Sequence, residues 1–187
     1  MVGRSNVGKS TLINALVKRK IARTSAAPGK TRLANYYEIG LQASGVGLRV
    51  PGTRTRGNFY LVDLPGYGYA RGGQESVQAF EELTRAYFDP STREQRRVAG
   101  VLQLIDSRHP ELPQDAAGYE WLLAVQAPVA IVMTKIDKLN RSDQSRTLRT
   151  LKENYDSPVL PASAFDGTGL DEIWKLLRHW ATEDSTS

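Results

Sequence analysis

Runs of apolar residues alternate with amphipathic stretches along the whole chain. The apolar runs predict strands at residues 58–63, 98–106, 129–134 and 158–163, and a more polar run predicts a further strand at 36–41. Apolar side chains at helical spacing predict helices at residues 9–17, 74–88, 114–125, 142–155 and 170–180. Strands that are apolar almost throughout are typical of a parallel sheet with both faces covered. The pattern therefore predicts a doubly wound α/β domain, with helices on both faces of a mostly parallel sheet.

The length of the chain favours a single domain. Its 187 residues suffice for one well-buried core and are few for two. We predict one domain over residues 1–182, followed by a flexible polar tail at 183–187. Residues 42–57 show no periodicity and hold three arginines without an acidic residue. This stretch is either a solvated hairpin tip or a basic arm that contacts a phosphate backbone.

Composition narrows the possible chemistry. The chain has no cysteine, which excludes disulfides and thiolate metal sites, and its two histidines are too few for a zinc centre. It contains neither an apolar run of about 18 residues nor a leader peptide, so we expect a cytoplasmic protein without membrane contact. The 25 basic and 20 acidic residues give a net charge of +5, which is compatible with a polyanionic partner such as RNA.

The most informative motif is G-R-S-N-V-G-K-S at residues 3–10, which fills every fixed position of G-x-x-x-x-G-K-[ST]. Such a loop turns backbone N–H groups toward phosphate oxygens, and the following helix points its positive end at the anion. Lys9 is expected to reach the bridge between β- and γ-phosphates, and the Ser10 hydroxyl to hold Mg²⁺. The alternative is a tight glycine turn that caps a helix. The predicted phosphate-binding residues are Gly3, Arg4, Ser5, Asn6, Val7, Gly8, Lys9, Ser10 and Thr11.

Further polar residues follow the predicted strands, at the edge where ligands bind in an open α/β sheet. Asp63 can bind Mg²⁺, and Gly66 leaves room for its N–H to approach a γ-phosphate. Thr134 is the last residue of the strand predicted at 129–134, and Asp137 lies three residues after it. The Asp137 carboxylate can accept from the N1–H and 2-amino groups of guanine together, and adenine lacks both donors there. The aliphatic stem of Lys135 can lie along the base plane.

Two shorter motifs complete the predicted nucleotide site. Ser163 and Ala164 end a strand and offer a backbone N–H to guanine O6. The P-G-K-T motif at residues 28–31 lies between the phosphate-loop helix and the strand at 36–41, so Thr31 can supply a second hydroxyl to Mg²⁺. The predicted magnesium ligands are therefore Ser10, Thr31 and Asp63, and Gly29 and Lys30 join the nucleotide-binding set.

Together these motifs resemble the YihA/YsxC/EngB family of bacterial GTP-binding proteins, in the TrmE–Era branch of P-loop GTPases. The resemblance runs from Gly3 to about Trp180. Its most specific parts are the phosphate loop, P-G-K-T at 28–31, D-L-P-G-Y-G-Y-A at 63–70, I-D-S-R-H-P at 105–110 and T-K-I-D at 134–137. It implies a P-loop GTPase fold in a cytoplasmic, Mg²⁺-dependent monomer that hydrolyses GTP to GDP and phosphate. It also implies a switch role in large ribosomal subunit assembly, with that subunit or its rRNA as partner, and a link to cell division and septation.

Catalysis has fewer candidates than binding. Phosphoryl transfer needs charge neutralisation and an oriented water, and Lys9, Thr31 and Gly66 are the candidate catalytic residues. Tyr67 stands where a Ras-like enzyme has a water-orienting glutamine, and no arginine finger can be assigned, so slow intrinsic turnover is expected. Asn6 stands where some relatives coordinate a monovalent cation, which makes K⁺ a candidate cofactor. The alternative is that Asn6 only braces the loop.

Two other classes of function compete with a GTP-hydrolysing assembly factor. One is a nucleotide-gated binding module whose hydrolysis is incidental. The other is a P-loop ATPase or kinase of a different branch, which Asp137 and the pair Ser163–Ala164 argue against. Lys30, Arg32 and Arg71 flank the predicted switch motifs and either report the nucleotide state to a partner or are ordinary solvated charges.

The start of the chain departs from the family pattern. Only Met1 and Val2 precede the phosphate loop, whereas the relatives carry a strand there that launches the loop. That strand lies between the strands predicted at 58–63 and 98–106. We expect the first strand to be largely missing, with a truncated or mis-assigned start, and the 187-residue chain to be marginally stable.

Overall fold

The computed structural model describes residues 1–22, 34–42, 45–48, 57–67, 84–88, 98–125 and 127–182. The strands in these ranges are β1 (Val2–Gly3), β2 (Asn35–Gln42), β3 (Gly45–Leu48), β4 (Gly57–Asp63), β5 (Val101–Asp106), β6 (Val129–Thr134) and β7 (Val159–Pro161). The helices are α1 (Lys9–Val17), α2 (Pro113–Leu123), α3 (Arg141–Asn154) and α4 (Leu170–Thr182), with a 3₁₀ turn at Ile136–Lys138. Residues 84–88 are helical, and the rest of the helix predicted at 74–88 lies outside the described residues, as do the P-G-K-T motif and the tail at 183–187.

The strands form a four-stranded parallel sheet in the order β1-β5-β6-β7 and a three-stranded antiparallel sheet in the order β3-β2-β4. Backbone hydrogen bonds across β1 join the two sheets. The Met1 amino group donates to the Val62 carbonyl at 2.6 Å, and the Leu64 N–H donates to the Met1 carbonyl at 3.2 Å. The predicted α/β fold is confirmed, and β1 lies between β4 and β5.

Side-chain alternation along β5 and β6 explains why these strands are apolar on both faces. Leu102 and Leu104 pack in one cluster with residues of α1 and α4, whereas Ile105 packs in another with residues of α2 and α3. Among the described residues, α1 and α4 therefore cover one face of the parallel sheet and α2 and α3 cover the other, as the continuous apolar runs predict. Gln103, in the middle of β5, is polar and fully buried.

The observed strands differ from the predicted ones in two places. One strand starts later because its neighbour does, and one strand was not predicted. The strand predicted at 98–106 begins only at Val101, because its neighbour β6 begins at Val129, the residue that pairs with Val101. Part of the stretch at 42–57 forms β3, which pairs antiparallel with β2. The sequence Gly45–Leu48 has two glycines, which disfavour strands, so its pattern did not reveal it.

The two residues of β1 fill only one end of the gap between β4 and β5. Beyond them lies a cavity of about 550 Å³, whose lining includes residues 58–62 and 98–102 together with Phe88 and Trp180. The low stability expected from such a gap stays a prediction. Within the described ranges, no helix is both long and apolar enough to span a membrane.

Candidate functional site

The phosphate loop connects β1 to α1, and hydrogen bonds from the side chains of Thr134 and Lys9 hold it in place. Gly8 precedes α1 with φ of 108°, a conformation that favours glycine. The Thr134 hydroxyl, at the end of β6, lies 2.9 Å from the Val7 carbonyl and 3.1 Å from the Ile105 carbonyl. Lys9 is buried and its Nζ donates to the Gly3 carbonyl at 3.0 Å. The loop is therefore anchored to the carboxyl ends of β5 and β6, where ligands bind in this type of sheet.

The burial of Lys9 changes its titration. Desolvation lowers the pKa of the Lys9 ammonium to about 8, and the nearby Asp63 carboxylate opposes this shift only in part. Phosphate oxygens next to the ammonium would favour its charged form and raise its pKa. Nucleotide binding is then coupled to proton uptake wherever the free protein has lost this proton.

We expect the affinity for GDP to fall as pH rises above about 8, by up to tenfold per pH unit, because Lys9 must be protonated to bind phosphate. Isothermal titration calorimetry in buffers of different ionisation enthalpy measures the proton uptake directly. Uptake at pH 8.5 and none at pH 6.5 is the expected result. Equal uptake at both values would contradict the assignment to Lys9.

Ser10 and Asp63 meet beside Lys9. The Ser10 hydroxyl donates to Asp63 Oδ2 at 2.9 Å, and Asp63 Oδ1 is buried without a hydrogen-bond partner among the described residues. Magnesium is commonly held by one or two protein oxygens together with phosphate oxygens and waters. A hydroxyl and a carboxylate with one unsatisfied oxygen fit this pattern. The described residues contain no cluster of three or more acidic, histidine or cysteine side chains, so they offer no all-protein cage.

The predicted base-binding residues also come together. Asp137 Oδ1 accepts a hydrogen bond from the Ser163 hydroxyl at 2.8 Å, which joins the segments that follow β6 and β7. Desolvation alone would raise the pKa of Asp137, but hydrogen bonds from Ser163 and Lys138 outweigh it and lower this pKa. The carboxylate is thus ionised at neutral pH and can accept from guanine. It faces a cavity of about 160 Å³ whose lining includes Gly8, Thr11, Lys135, Ala164 and Phe165.

Lys135 links the base site to the phosphate loop. Its Nζ donates to the Asn6 carbonyl at 2.7 Å and to Asp106 Oδ2 at 2.8 Å. Desolvation favours the neutral form of Asp106, but hydrogen bonds from Arg108 and Lys135 prevail and hold the pKa of this carboxyl well below its usual range. Asp106 and Arg108 were not among the predicted site residues, although they belong to the I-D-S-R-H-P motif.

Phe165 was missed as well. Its side chain is 84% exposed at the edge of the base cavity, and the Lys138 ammonium lies 5.3 Å from its ring centroid. Its position directly after Ser163–Ala164 in the sequence could have identified it as a neighbour of the base site. Of the predicted site residues, Gly29, Lys30 and Thr31 lie outside the described residues, as do Arg32 and Arg71.

Gly66 lies against the phosphate loop. A Cβ at this position would be 2.7 Å from the Ser5 nitrogen, which is closer than real Cβ atoms approach, so glycine is required for the contact. The Ser5 N–H also donates to the Tyr67 carbonyl at 3.2 Å. The structure therefore brings the predicted γ-phosphate contact next to the residues that would hold the other phosphates.

Comparison with known proteins identifies close relatives of this sequence. A family model described as 50S ribosome-binding GTPase matches residues 1–135. The probable GTP-binding protein EngB of Syntrophomonas wolfei subsp. wolfei is 41% identical over 176 residues, which cover 92% of this chain and 81% of that relative.

Solved structures share the fold at lower identity. The structure of Era in complex with MgGDPNP and nucleotides 1506–1542 of 16S ribosomal RNA aligns with a TM-score of 0.72 at 23% identity, over 96% of this chain and 54% of that one. The structure of a probable GTP-binding protein engB aligns with a TM-score of 0.67 at 19% identity, over 97% of both chains. These alignments extend the shared α/β architecture over nearly the whole chain.

Proposed function

The chain belongs to the EngB family of GTP-binding proteins and is a GTPase, and from this premise we propose that it is a Mg²⁺-dependent switch in the assembly of the large ribosomal subunit. The observation that carries the nucleotide part of this proposal is Asp137, which accepts a hydrogen bond from Ser163 and lines the same cavity as Val7 and Gly8 of the phosphate loop. A carboxylate held in this way selects guanine, because adenine presents no hydrogen-bond donor at N1 or C2, where guanine presents two.

The residues predicted around the phosphates have roles in hydrolysis of GTP to GDP and phosphate. The loop amides and Lys9 neutralise the phosphate oxygens, and the Gly66 N–H contacts the γ-phosphate. Ser10 and Asp63, with Thr31 in the triphosphate state, would hold Mg²⁺, which supplies further charge neutralisation when bound. The Tyr67 hydroxyl donates to Asp115 on α2 at 3.0 Å, which supports slow intrinsic turnover because this side chain is engaged elsewhere than with water.

The ribosomal part of the proposal rests on the family and on charge. The matching family model is described as ribosome-binding, and the net charge of +5 suits an RNA-rich partner. We place the activity in the cytoplasm, in a monomer, and connect it with cell division and septation through ribosome assembly. The second candidate is a nucleotide-gated binding module that uses the same site. It differs only in that GTP hydrolysis is incidental to its function.

GTP turnover with and without purified large ribosomal subunits tests the proposal. We expect the rate to rise with large subunits and to stay at the intrinsic value with small subunits as control. If large subunits bind only the GTP-loaded protein and leave its turnover unchanged, the binding-module alternative is correct. If they neither bind nor stimulate it, the ribosomal assignment is wrong.

Thr31→Ala tests the proposed switch ligand. Because only the triphosphate state needs the Thr31 hydroxyl on Mg²⁺, we expect the affinity for a non-hydrolysable GTP analogue to fall about tenfold. The affinity for GDP should stay within twofold, and titration of fluorescent nucleotides measures both. An equal loss for both nucleotides would contradict this role of Thr31.

Monovalent cations test the proposed role of Asn6. If K⁺ lies between phosphates at Asn6, turnover in K⁺ should exceed turnover in Na⁺ several-fold at fixed ionic strength, since the cation replaces part of a missing arginine finger. Asn6→Ala should remove this difference. Equal rates in the two salts would leave Asn6 with the loop-bracing role alone.

A further inference from the structure

A buried polar network connects the phosphate loop, the loop after β4, strand β5 and helix α2. Asp115 is at its centre: Oδ2 accepts from Arg4 Nε at 2.9 Å, and Oδ1 accepts from the Tyr67 hydroxyl at 3.0 Å. The Gln103 amide donates to the Tyr67 hydroxyl at 2.9 Å and to the Asp115 carbonyl at 2.7 Å. We call Arg4, Tyr67, Gln103 and Asp115 the Asp115 network.

Two members of the network are deeply buried, which is costly unless their polar atoms have partners. Asp115 and Gln103 are both 0% exposed, whereas the Arg4 side chain is 21% exposed. Gln103 Oε1 has no hydrogen-bond partner among the described residues. Removing a carboxylate from water costs several kcal/mol, and a single partner rarely repays this cost. Apolar side chains of similar size would fill the same space without that cost. Polar residues in an otherwise apolar layer therefore indicate a requirement for a defined geometry.

The geometry of the Asp115 network fixes the position of Gly66. The Tyr67 ring packs on Gly118 of α2, where a Cβ would lie 3.0 Å from Cζ of the ring. The Tyr67 carbonyl accepts from the Ser5 N–H, and Gly66 fits against Ser5 with no room for a side chain. Tyr67 is thus held at its hydroxyl, its ring and its backbone, and Gly66 directly precedes it.

We propose that Tyr67 and Asp115 are positioning residues that hold Gly66 beside the phosphate loop, ready for a γ-phosphate. This inference rests on the proposed contact between Gly66 and the γ-phosphate. Through Arg4 the same carboxylate also contacts the phosphate loop, which serves GTP and GDP alike. Preorganisation strengthens binding of the ligand that uses the ordered group and leaves other ligands unaffected. Because only GTP has a γ-phosphate for Gly66 to contact, the hydrogen bond between Tyr67 and Asp115 favours GTP over GDP.

Tyr67→Phe tests the proposal with the smallest change. It removes the hydroxyl and keeps the ring that packs on Gly118. We expect the affinity for a non-hydrolysable GTP analogue to fall about tenfold, the effect typical of a lost hydrogen bond to a charged group, while the affinity for GDP changes less than twofold. Turnover at saturating GTP should fall as well, because Gly66 is ordered less often.

Tyr119→Phe is a matched control. Tyr119 is a buried tyrosine on α2 whose hydroxyl also makes a hydrogen bond to a side chain, but its partner is the Ser157 hydroxyl at 2.9 Å, which belongs to neither the phosphate loop nor the loop after β4. Its loss should lower the unfolding temperature comparably to Tyr67→Phe and leave the ratio of GTP-analogue to GDP affinity unchanged. A purely structural role of the Asp115 network would give the same result for both variants.

A double-mutant cycle separates coupling from instability. If Asp115→Ala folds, combining it with Tyr67→Phe should lower the affinity ratio less than the sum of the single effects, since both remove the hydrogen bond between the Tyr67 hydroxyl and the Asp115 carboxylate. An unchanged ratio in Tyr67→Phe, with a wild-type protein that binds both nucleotides, overturns this inference alone. A wild-type protein that binds neither nucleotide would instead overturn the proposed function.

Discussion

Asp137→Asn should lose GTP and gain xanthosine triphosphate. The Asp137 carboxylate can accept from the two guanine donors, and the pKa of this group is lowered by hydrogen bonds from Ser163 and Lys138, so it is ionised. An asparagine presents an amide N–H₂ where guanine also presents N–H, and the two donors repel. The 2-oxo group of xanthine accepts from this amide instead.

The expected loss of GTP affinity is large. Sites built on hydrogen bonds to a substrate discriminate against an analogue without them by on the order of 10⁴. Competition of GTP, ATP and xanthosine triphosphate against a fluorescent guanine nucleotide measures the change. Asp166→Asn is the control, because Asp166 lies on the neighbouring loop and its carboxylate accepts from the Thr168 N–H, which an asparagine can also do. A GTP affinity within a few-fold of wild type in Asp137→Asn would refute the base-recognition assignment.

Gly169→Ala should be the most destabilising single change in the loop that carries Ser163 and Ala164. Gly169 has φ of 76°, and a Cβ there would lie 2.0 Å from the Pro161 carbonyl oxygen. The left-handed backbone costs about 1–2 kcal/mol for alanine. The clash with a fixed carbonyl must be relieved by moving β7 or the start of α4, which brings the expected total to about 3–5 kcal/mol.

Gly167→Ala separates these two contributions. Gly167 has φ of 85°, yet a Cβ there meets nothing within 4 Å, so only the backbone cost applies. Urea unfolding of both variants should show a free-energy loss about 2 kcal/mol or more larger for Gly169→Ala. The GDP affinity of Gly169→Ala should fall too, because the loop that holds Ser163 moves. Equal losses in the two variants would show that the loop relaxes freely around residue 169.

Much of the candidate site could be predicted because its chemistry is local in the sequence. A phosphate loop is formed by consecutive residues, and its backbone geometry follows from glycine positions at residues 3 and 8. Asp63, Asp137 and Ser163 each follow an apolar strand, and the carboxyl ends of parallel strands meet at one edge. The order of strands and helices on both faces followed from the same apolar runs, and the comparisons confirm that fold.

Other features depended on pairing between distant residues. Whether residues 98–100 extend β5 depends on where β6 begins, and β3 forms because β2 offers it an edge. No local pattern reveals such partners, since the free energy of a strand comes from its neighbours.

The sequence by itself therefore determined the fold class, the family and the residues expected to contact nucleotide, because each is encoded in short, contiguous patterns. Only the tertiary structure decided which side chains support them. Asp106 reaches Lys135, and Asp115 reaches Arg4 and Tyr67, across 29, 111 and 48 positions of the chain. A buried carboxylate is stable only where the fold brings donors to it, and those donors are far away in the sequence. In the sequence, Gln103 and Asp115 consequently cannot be distinguished from other polar residues. Their roles become visible only when the packing of α2 on β5 brings them together.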